Sequence, residues 1–194
     1  TLISVISNAR PKIAAYHFTT LIPNLGVVSM AKFGGSAIDS FVVADIPGLI
    51  EGAHEGKGLG HKFLKHITRT KLLVHIIDGY LDNIDKDYKT IREELKKFDR
   101  SLAKKEEIIV VNKIDVLDEK TLETKLKKLK KITKKSKIFP ISAVTHEGLQ
   151  KLMFEISKRL IQIKATEKKI RISTAVRIIP ILRPHIDGIR FTID

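Results

Sequence analysis

The 194-residue chain is predicted to fold as an α/β protein with a mostly parallel, twisted sheet flanked by helices. Three observations predict it. Apolar runs of buried-strand type recur at Leu72–Asp78, Ile108–Val111 and Ile138–Ser142. Amphipathic helix patterns fall after them, over about 82–100, 119–135 and 146–163. Most strand ends carry a polar residue (Asp45, Asp78, Asn112, Ser142), and ligands of open α/β sheets bind just outside such ends.

In chain order, residues 1–9 read as the remainder of a helix, with Leu2, Val5 and Ile6 on one face. Residues 10–24 read as an irregular loop. Strands are expected around Gly26–Met30 and Ser40–Asp45, with Gly34-Gly35 as the turn signal between them. A helix is expected over 58–69. Beyond residue 163 the character changes: Ala165–Lys169 reads as a polar linker, and Ile170–Leu182 and Ile186–Asp194 as β-rich pieces split by Arg183-Pro184. The expected division is therefore a partial domain over 1–163, then a linker and the beginning of a β-rich segment over 164–194. Because an apolar pattern starts uncapped at Thr1, the sequence is read as a fragment that begins inside an element.

Composition narrows the function. With 43% hydrophobic and 30% charged residues the chain is globular rather than disordered. No apolar run approaches the ~20 residues of a membrane span. Zero Cys excludes disulfides, thiolate zinc sites and cysteine nucleophiles, and fits the expected cytoplasmic location. A formal charge of +14 favours a polyanionic partner such as RNA, or an anionic membrane surface; a solvated Lys-rich surface is the alternative. Nine lysines fall between Lys120 and Lys137, while Leu122, Leu126, Leu129 and Ile132 recur at helical spacing and face the core. The lysines are expected to cover the solvent side, as a rail for rRNA phosphates or as a plain solvated face.

The candidate chemistry sits at the strand ends. Asn112-Lys113-Ile114-Asp115 directly follows an apolar run. A carboxylate at the fourth position accepts two N–H bonds from one planar edge; guanine offers that edge through N1–H and its exocyclic amine, and adenine does not. The Asn can bridge loops and reach the base, and the Lys stem can lie flat over a ring. The rival reading of Asp115 is a helix N-cap. Thirty residues on, Ser142-Ala143-Val144 follows another run, and its backbone N–H groups can meet the base's carbonyl oxygen. Asp45-Ile46-Pro47-Gly48 follows Phe41–Ala44; the Asp can hold hydrated Mg²⁺ through water, and Gly48 can offer an unobstructed N–H to a terminal phosphate. Thr20, 25 residues upstream, can reach the same Mg²⁺, or Thr19-Thr20 is an ordinary hydroxyl pair. The order of these strings, rather than any one alone, predicts a guanine-nucleotide site along one edge of the sheet.

With those strings in place, the chain resembles the P-loop GTPases and, more closely, the Obg family of ribosome-associated GTPases. Tyr16 to Gly26 (YHFTTLIPNLG) resembles that family's first switch, and Asp45 to Ala53 (DIPGLIEGA) its second. The similar Gly58-Leu59-Gly60 and Phe63-Leu64 follow, and the resemblance spans about residues 1–160. It implies a Ras-like G domain with GTP or GDP and Mg²⁺ as ligands. Nucleotide contacts are implied at Phe18, Thr19, Thr20, Leu21 and Ile22, and at Asp45, Ile46, Pro47 and Gly48. They continue at Asn112, Lys113, Ile114 and Asp115, and at Ser142, Ala143 and Val144, with Thr20 and Asp45 at the metal. It also implies GTP hydrolysis, late assembly of the large ribosomal subunit, rRNA contact, and guanosine tetraphosphate as a further ligand. A monomer is expected.

Family members carry G-x-x-x-x-G-K-[ST] before the first helix, and this sequence has none. Gly52–Gly58 (GAHEGKG) has its glycines one residue too close and Gly58 in place of the hydroxyl. The fold is therefore expected to lack the first strand and the P-loop. In this fold the first strand lies between those ending at Asp45 and Asp78. Its loss would leave two edges of orphan N–H and C=O groups, each costing roughly 1–3 kcal/mol if dry. The isolated chain is expected to fold poorly or close the gap by another route, and to bind GTP weakly. Leu49 stands where many GTPases have a water-orienting Gln, which implies slow intrinsic hydrolysis. No catalytic residue is assigned; Glu51, His54 and Glu55 read as solvated loop residues. The alternative function is a non-hydrolysing RNA- or ribosome-binding module that retains a degenerate G domain.

Overall fold

Four consecutive fully apolar residues, Ile108–Val111, set the centre of the molecule, each at most 1% exposed. A strand buried on both faces belongs in a parallel sheet covered on both sides. In the computed structural model it is the middle strand of three. The structure describes residues 2–7, 12–13, 24–36, 38–45, 70–98, 100–133 and 136–173.

Within these, α1 is Leu2–Ile6, β1 Lys12–Ile13, β2 Asn24–Ser29, β3 Ser40–Asp45 and β4 Leu73–Asp78. Then come α2 Ile84–Phe98, α3 Arg100–Ala103, β5 Glu107–Asn112, α4 Glu119–Ile132, β6 Lys137–Pro140 and α5 Leu149–Ser173. The strands β4, β5 and β6 form a parallel sheet in that order, with Asp78 opposite Asn112 at its carboxyl rim. Period-two alternation sends Ile109 and Val111 to one face, where Ile77, Ile84 and Tyr88 of α2 and Leu129 of α4 pack. Ile108 and Val110 face the other way, against Ile141 and Leu149, Leu152, Met153 and Ile156 at and along α5.

The second sheet is antiparallel. β2 and β3 pair over their full length, from Asn24 opposite Asp45 to Ser29 opposite Ser40, and β1 adds a two-residue edge. The turn is a 3₁₀ segment, Met30–Phe33, ended by Gly34 at φ +83, a conformation glycine adopts at little cost. No ladder joins β3 to β4 among the described residues. The hairpin is instead held by packing: Val28 and Met30, with Ile6 of α1, join the core built on α5. Its turn lies against the start of that helix, where Gln150 Nε2 donates to Phe33 O at 2.9 Å.

Three expectations need correction. The loop expected over 10–24 contains β1, because Lys12 and Ile13 find backbone partners in Leu25 and Asn24. The linker expected at Ala165–Lys169 is helical, since α5 runs on to Ser173. The stretch has no Gly or Pro and is rich in Ala, Glu and Lys, all good helix formers. Glu167 there is anchored by an ion pair with Lys71. The β-rich reading of the segment from Ile170 fails at least to Ser173. The expected helix over 58–69 and the remainder, 174–194, lie outside the described residues.

Candidate functional site

Residues from two distant loops meet at the carboxyl rim of the parallel sheet. Asn112 ends β5, and its Oδ1 accepts the Ala143 N–H at 3.0 Å. Ile114 N–H donates to Ile141 O at 3.2 Å, a second tie between the same loops. Ser142 is fully buried: its N–H donates to Glu147 O and its Oγ accepts from Thr145 N–H, both at 3.0 Å. The serine is therefore the keystone of a tight turn, and Val144 stands 74% exposed beside it.

Lys113 has left-handed backbone, φ 65, ψ 39. Among the described residues only it and His146 combine positive φ with a side chain, and both lie in these two loops. Such conformations cost free energy and gather at functional sites. The Lys113 ammonium reaches Asp78 Oδ2 at the tip of β4, 2.6 Å away. Burial raises the Asp78 carboxyl, but the hydrogen bonds from Lys113 and Tyr80 and the charges of Lys113 and Lys125 outweigh it, so it sits below its ordinary value. Asp115 occupies the next turn, Ile114–Val116, and is exposed. It does not cap α4. That role falls to Asp118, whose carboxylate takes the Thr121 N–H at 2.8 Å. The rival reading of Asp115 is thereby removed.

Phe18, Thr19, Thr20, Leu21 and Ile22, and Ile46, Pro47 and Gly48, lie outside the described residues. Asp45 closes β3 at the open end of the hairpin. Asp45 pairs there with Asn24, and among the described residues no ladder links β3 to the parallel sheet. Apolar packing and the Gln150 hydrogen bond to its turn position the hairpin. Among the described residues no group of three or more His, Asp or Glu could hold a metal ion. A hollow of about 360 Å³ lies between the hairpin turn and α5, lined by Val5, Lys32, Phe33, His146 and Gln150 among others; none of the described residues expected at the site lines it.

Two residues of this site were not singled out from the sequence. Asp78 was only one of several polar strand ends. Lys125 was grouped with the solvent-facing lysines, yet it is 7% exposed and donates to Gly79 O and Leu81 O, each at 2.7 Å. Its spacing between Leu122 and Leu129 is the signal that places it on the inner face.

The fold and rim loops together define a Ras-like G domain. Solved structures agree on the fold. Era of Aquifex aeolicus bound to GDP·AlF4⁻ superposes with a TM-score of 0.56 at 21% identity, covering 81% of this chain and 51% of that one. The cytosolic domain of the FeoB iron transporter of T. maritima gives 0.56 at 18% identity, covering 81% and 57%. The family model described as 50S ribosome-binding GTPase matches residues 1–113. GTPase Obg of Bacillus pumilus is 52% identical over 163 residues, 82% of this chain and 36% of its own length. GTPase Obg of Prochlorococcus marinus (subsp. pastoris) is 52% identical over 160 residues, 82% of this chain and 47% of its length. The chain belongs to the 50S ribosome-binding GTPases and, among these P-loop GTPases, to the Obg family. It spans between about a third and a half of the length of these curated relatives.

Proposed function

We propose that this chain is the base-reading part of a GTP-binding and GTP-hydrolysing switch protein of the Obg type, acting in assembly of the large ribosomal subunit. One observation carries the reading: the Asn112–Ala143 clasp holds the N-K-x-D loop beside the Ser142–Val144 loop, as a base reader requires. Asp115 takes the two N–H groups of guanine, Lys113 lays its stem on the ring, and Asn112 braces the loops. Val144 flanks the base, Ile114 is buried in the core and anchors the loop beneath it, and Ser142 and Ala143 shape the turn that meets the carbonyl oxygen. Because the Ala143 N–H is engaged by Asn112 and the Thr145 N–H by Ser142 Oγ, the Val144 N–H serves the ligand.

The phosphate half would come from Phe18, Thr19, Thr20, Leu21, Ile22, Asp45, Ile46, Pro47 and Gly48, with Thr20 and Asp45 at Mg²⁺. When bound, Mg²⁺ neutralises phosphate charge. Water attacks the γ-phosphate in line as its bond to the β–γ bridging oxygen breaks, releasing GDP and phosphate, with backbone dipoles stabilising the developing charge. Among the described residues no helix is long and apolar enough to cross a membrane. A cytoplasmic monomer engaging rRNA through the exposed lysines of α4 completes the proposal.

Calorimetric titration of the full-length protein tests it. GDP and GTP should bind on the order of 100-fold more tightly than ADP and ATP, because a site built for one hydrogen-bonding edge rejects another. Equal affinities would overturn the reading. The exposed lysines of α4 favour one rival, a non-hydrolysing RNA- or ribosome-binding module. Single-turnover hydrolysis of GTP by the full-length protein distinguishes the two.

A further inference from the structure

We propose that Asp78 is a positioning residue for Lys113, and that buried Lys125 fixes the turn carrying it, so that this pair sets nucleotide affinity from behind the base loop. The inference rests on the base-reading role proposed above. Asp78 and Asn112 are register partners at the ends of adjacent parallel strands. The lysine following Asn112 can therefore cross from β5 to β4, and it does: its ammonium is on Asp78 Oδ2 at 2.6 Å. A stem anchored at one end by strained backbone and at the other by a carboxylate is held out as a rail across the rim. Free, its rotamer entropy would oppose such a pose.

The carboxylate is itself fixed. Its Oδ1 accepts the Tyr80 N–H at 3.0 Å. The following turn is tied by Gly79 N–H to Asn112 O at 2.8 Å and by Lys125 to Gly79 O and Leu81 O. A Cβ at Gly79 would lie 2.7 Å from Asn112 O, so β4 and β5 are locked at this point with no slack for a side chain. An ammonium buried in a lysine-rich helix whose other described lysines are exposed has a specific task, and here it is the turn behind Asp78.

A ring face carries no information about the groups on the ring's edge. Loss of the rail should therefore weaken every purine diphosphate alike, unlike loss of an edge reader. In Asp78→Asn the Tyr80 N–H keeps an acceptor, so the turn survives while the charge pair is lost. Competition titrations on the full-length protein with GDP, IDP and XDP read the effect. Kd should rise about tenfold for all three, a factor consistent with losing one oriented charged contact. Asp78→Glu should recover most of it. Lys125→Met should weaken binding too, and add less than its own effect on top of Asp78→Asn. Unchanged or tighter GDP binding in Asp78→Asn, or a loss confined to one base, would overturn the proposal. Asp115→Asn run alongside keeps the two claims separate. If it fails to shift preference towards XDP, the base-reading assignment falls; if it shifts while Asp78→Asn is silent, only the positioning role falls.

Discussion

The parallel sheet and the hairpin use similar strands and end up held in different ways. Val110 and Val111 of β5 are fully buried, with ladders on both sides and helices on both faces. Val27 and Val42, cross-strand partners in the hairpin, are 56% and 65% exposed. One half has its direction fixed by hydrogen bonds, and its loops arrive together at the rim. The other half is located by apolar contact with α5 and by a hydrogen bond from Gln150 to its turn. Apolar burial establishes which elements are neighbours; the ladder establishes which way they run. A nucleotide site needs both, and the base-reading half is the one that has both.

Leu152 of α5, fully buried in the core shared by the hairpin and the parallel sheet, gives the largest expected effect. Leu152→Ala should cost about 2–5 kcal/mol in a denaturant titration and should loosen both halves together. Gly148→Ala acts first where β6 leads into α5. The residue has φ +72, and a Cβ would lie 2.4 Å from Pro140 O. About 3 kcal/mol of destabilisation is expected from strain and overpacking.

The same substitution in the two halves sharpens the contrast. Val110→Ala should cost about 2–3 kcal/mol from lost burial and a cavity. Val42→Ala should stay within about 0.5 kcal/mol, as exposed positions do. Similar losses at the two sites would mean that something covers the hairpin's outer face.

The smallest effect is in pH. Hydrogen bonding from Arg159 first, and then Lys137, holds the Glu155 carboxyl below its ordinary value against the opposing effect of burial. A lowered folded value means stability that is present above the ordinary value near 4.5 and is lost as pH falls through the folded one. Glu155→Gln should therefore be less stable than the parent at neutral pH, with the gap narrowing below pH 4.5. A constant gap down to the acid transition would assign the loss to packing instead.

Much of this was legible in the sequence because local pattern and tertiary role agree. Runs such as Ile108–Val111 have one outlet, a strand buried on both faces, and Gly34 announces its turn. The base loop was legible because Asn112 and Asp115 sit directly at a strand end. What escaped depended on distance or direction. Asp78 acquires its meaning from Lys113, a neighbour only once β4 and β5 pair. Lys125 was lost in a count of lysines, although its place on the leucine face was readable. The continuation of α5 through Ala165–Lys169 is hidden by its polarity, because a helix running past the core can be polar on all sides. Among the described residues β3 has no ladder to β4, and no periodicity encodes that.

The most direct test of the central claim is the base preference of Asp115→Asn in the full-length protein, measured by competition between GDP and XDP. Exchange of the carboxylate for an amide should invert the preference, by roughly 100-fold in the ratio of affinities, because donor and acceptor swap on one edge. A variant that still favours GDP by the parental factor would contradict the assignment of the rim loops to a guanine base.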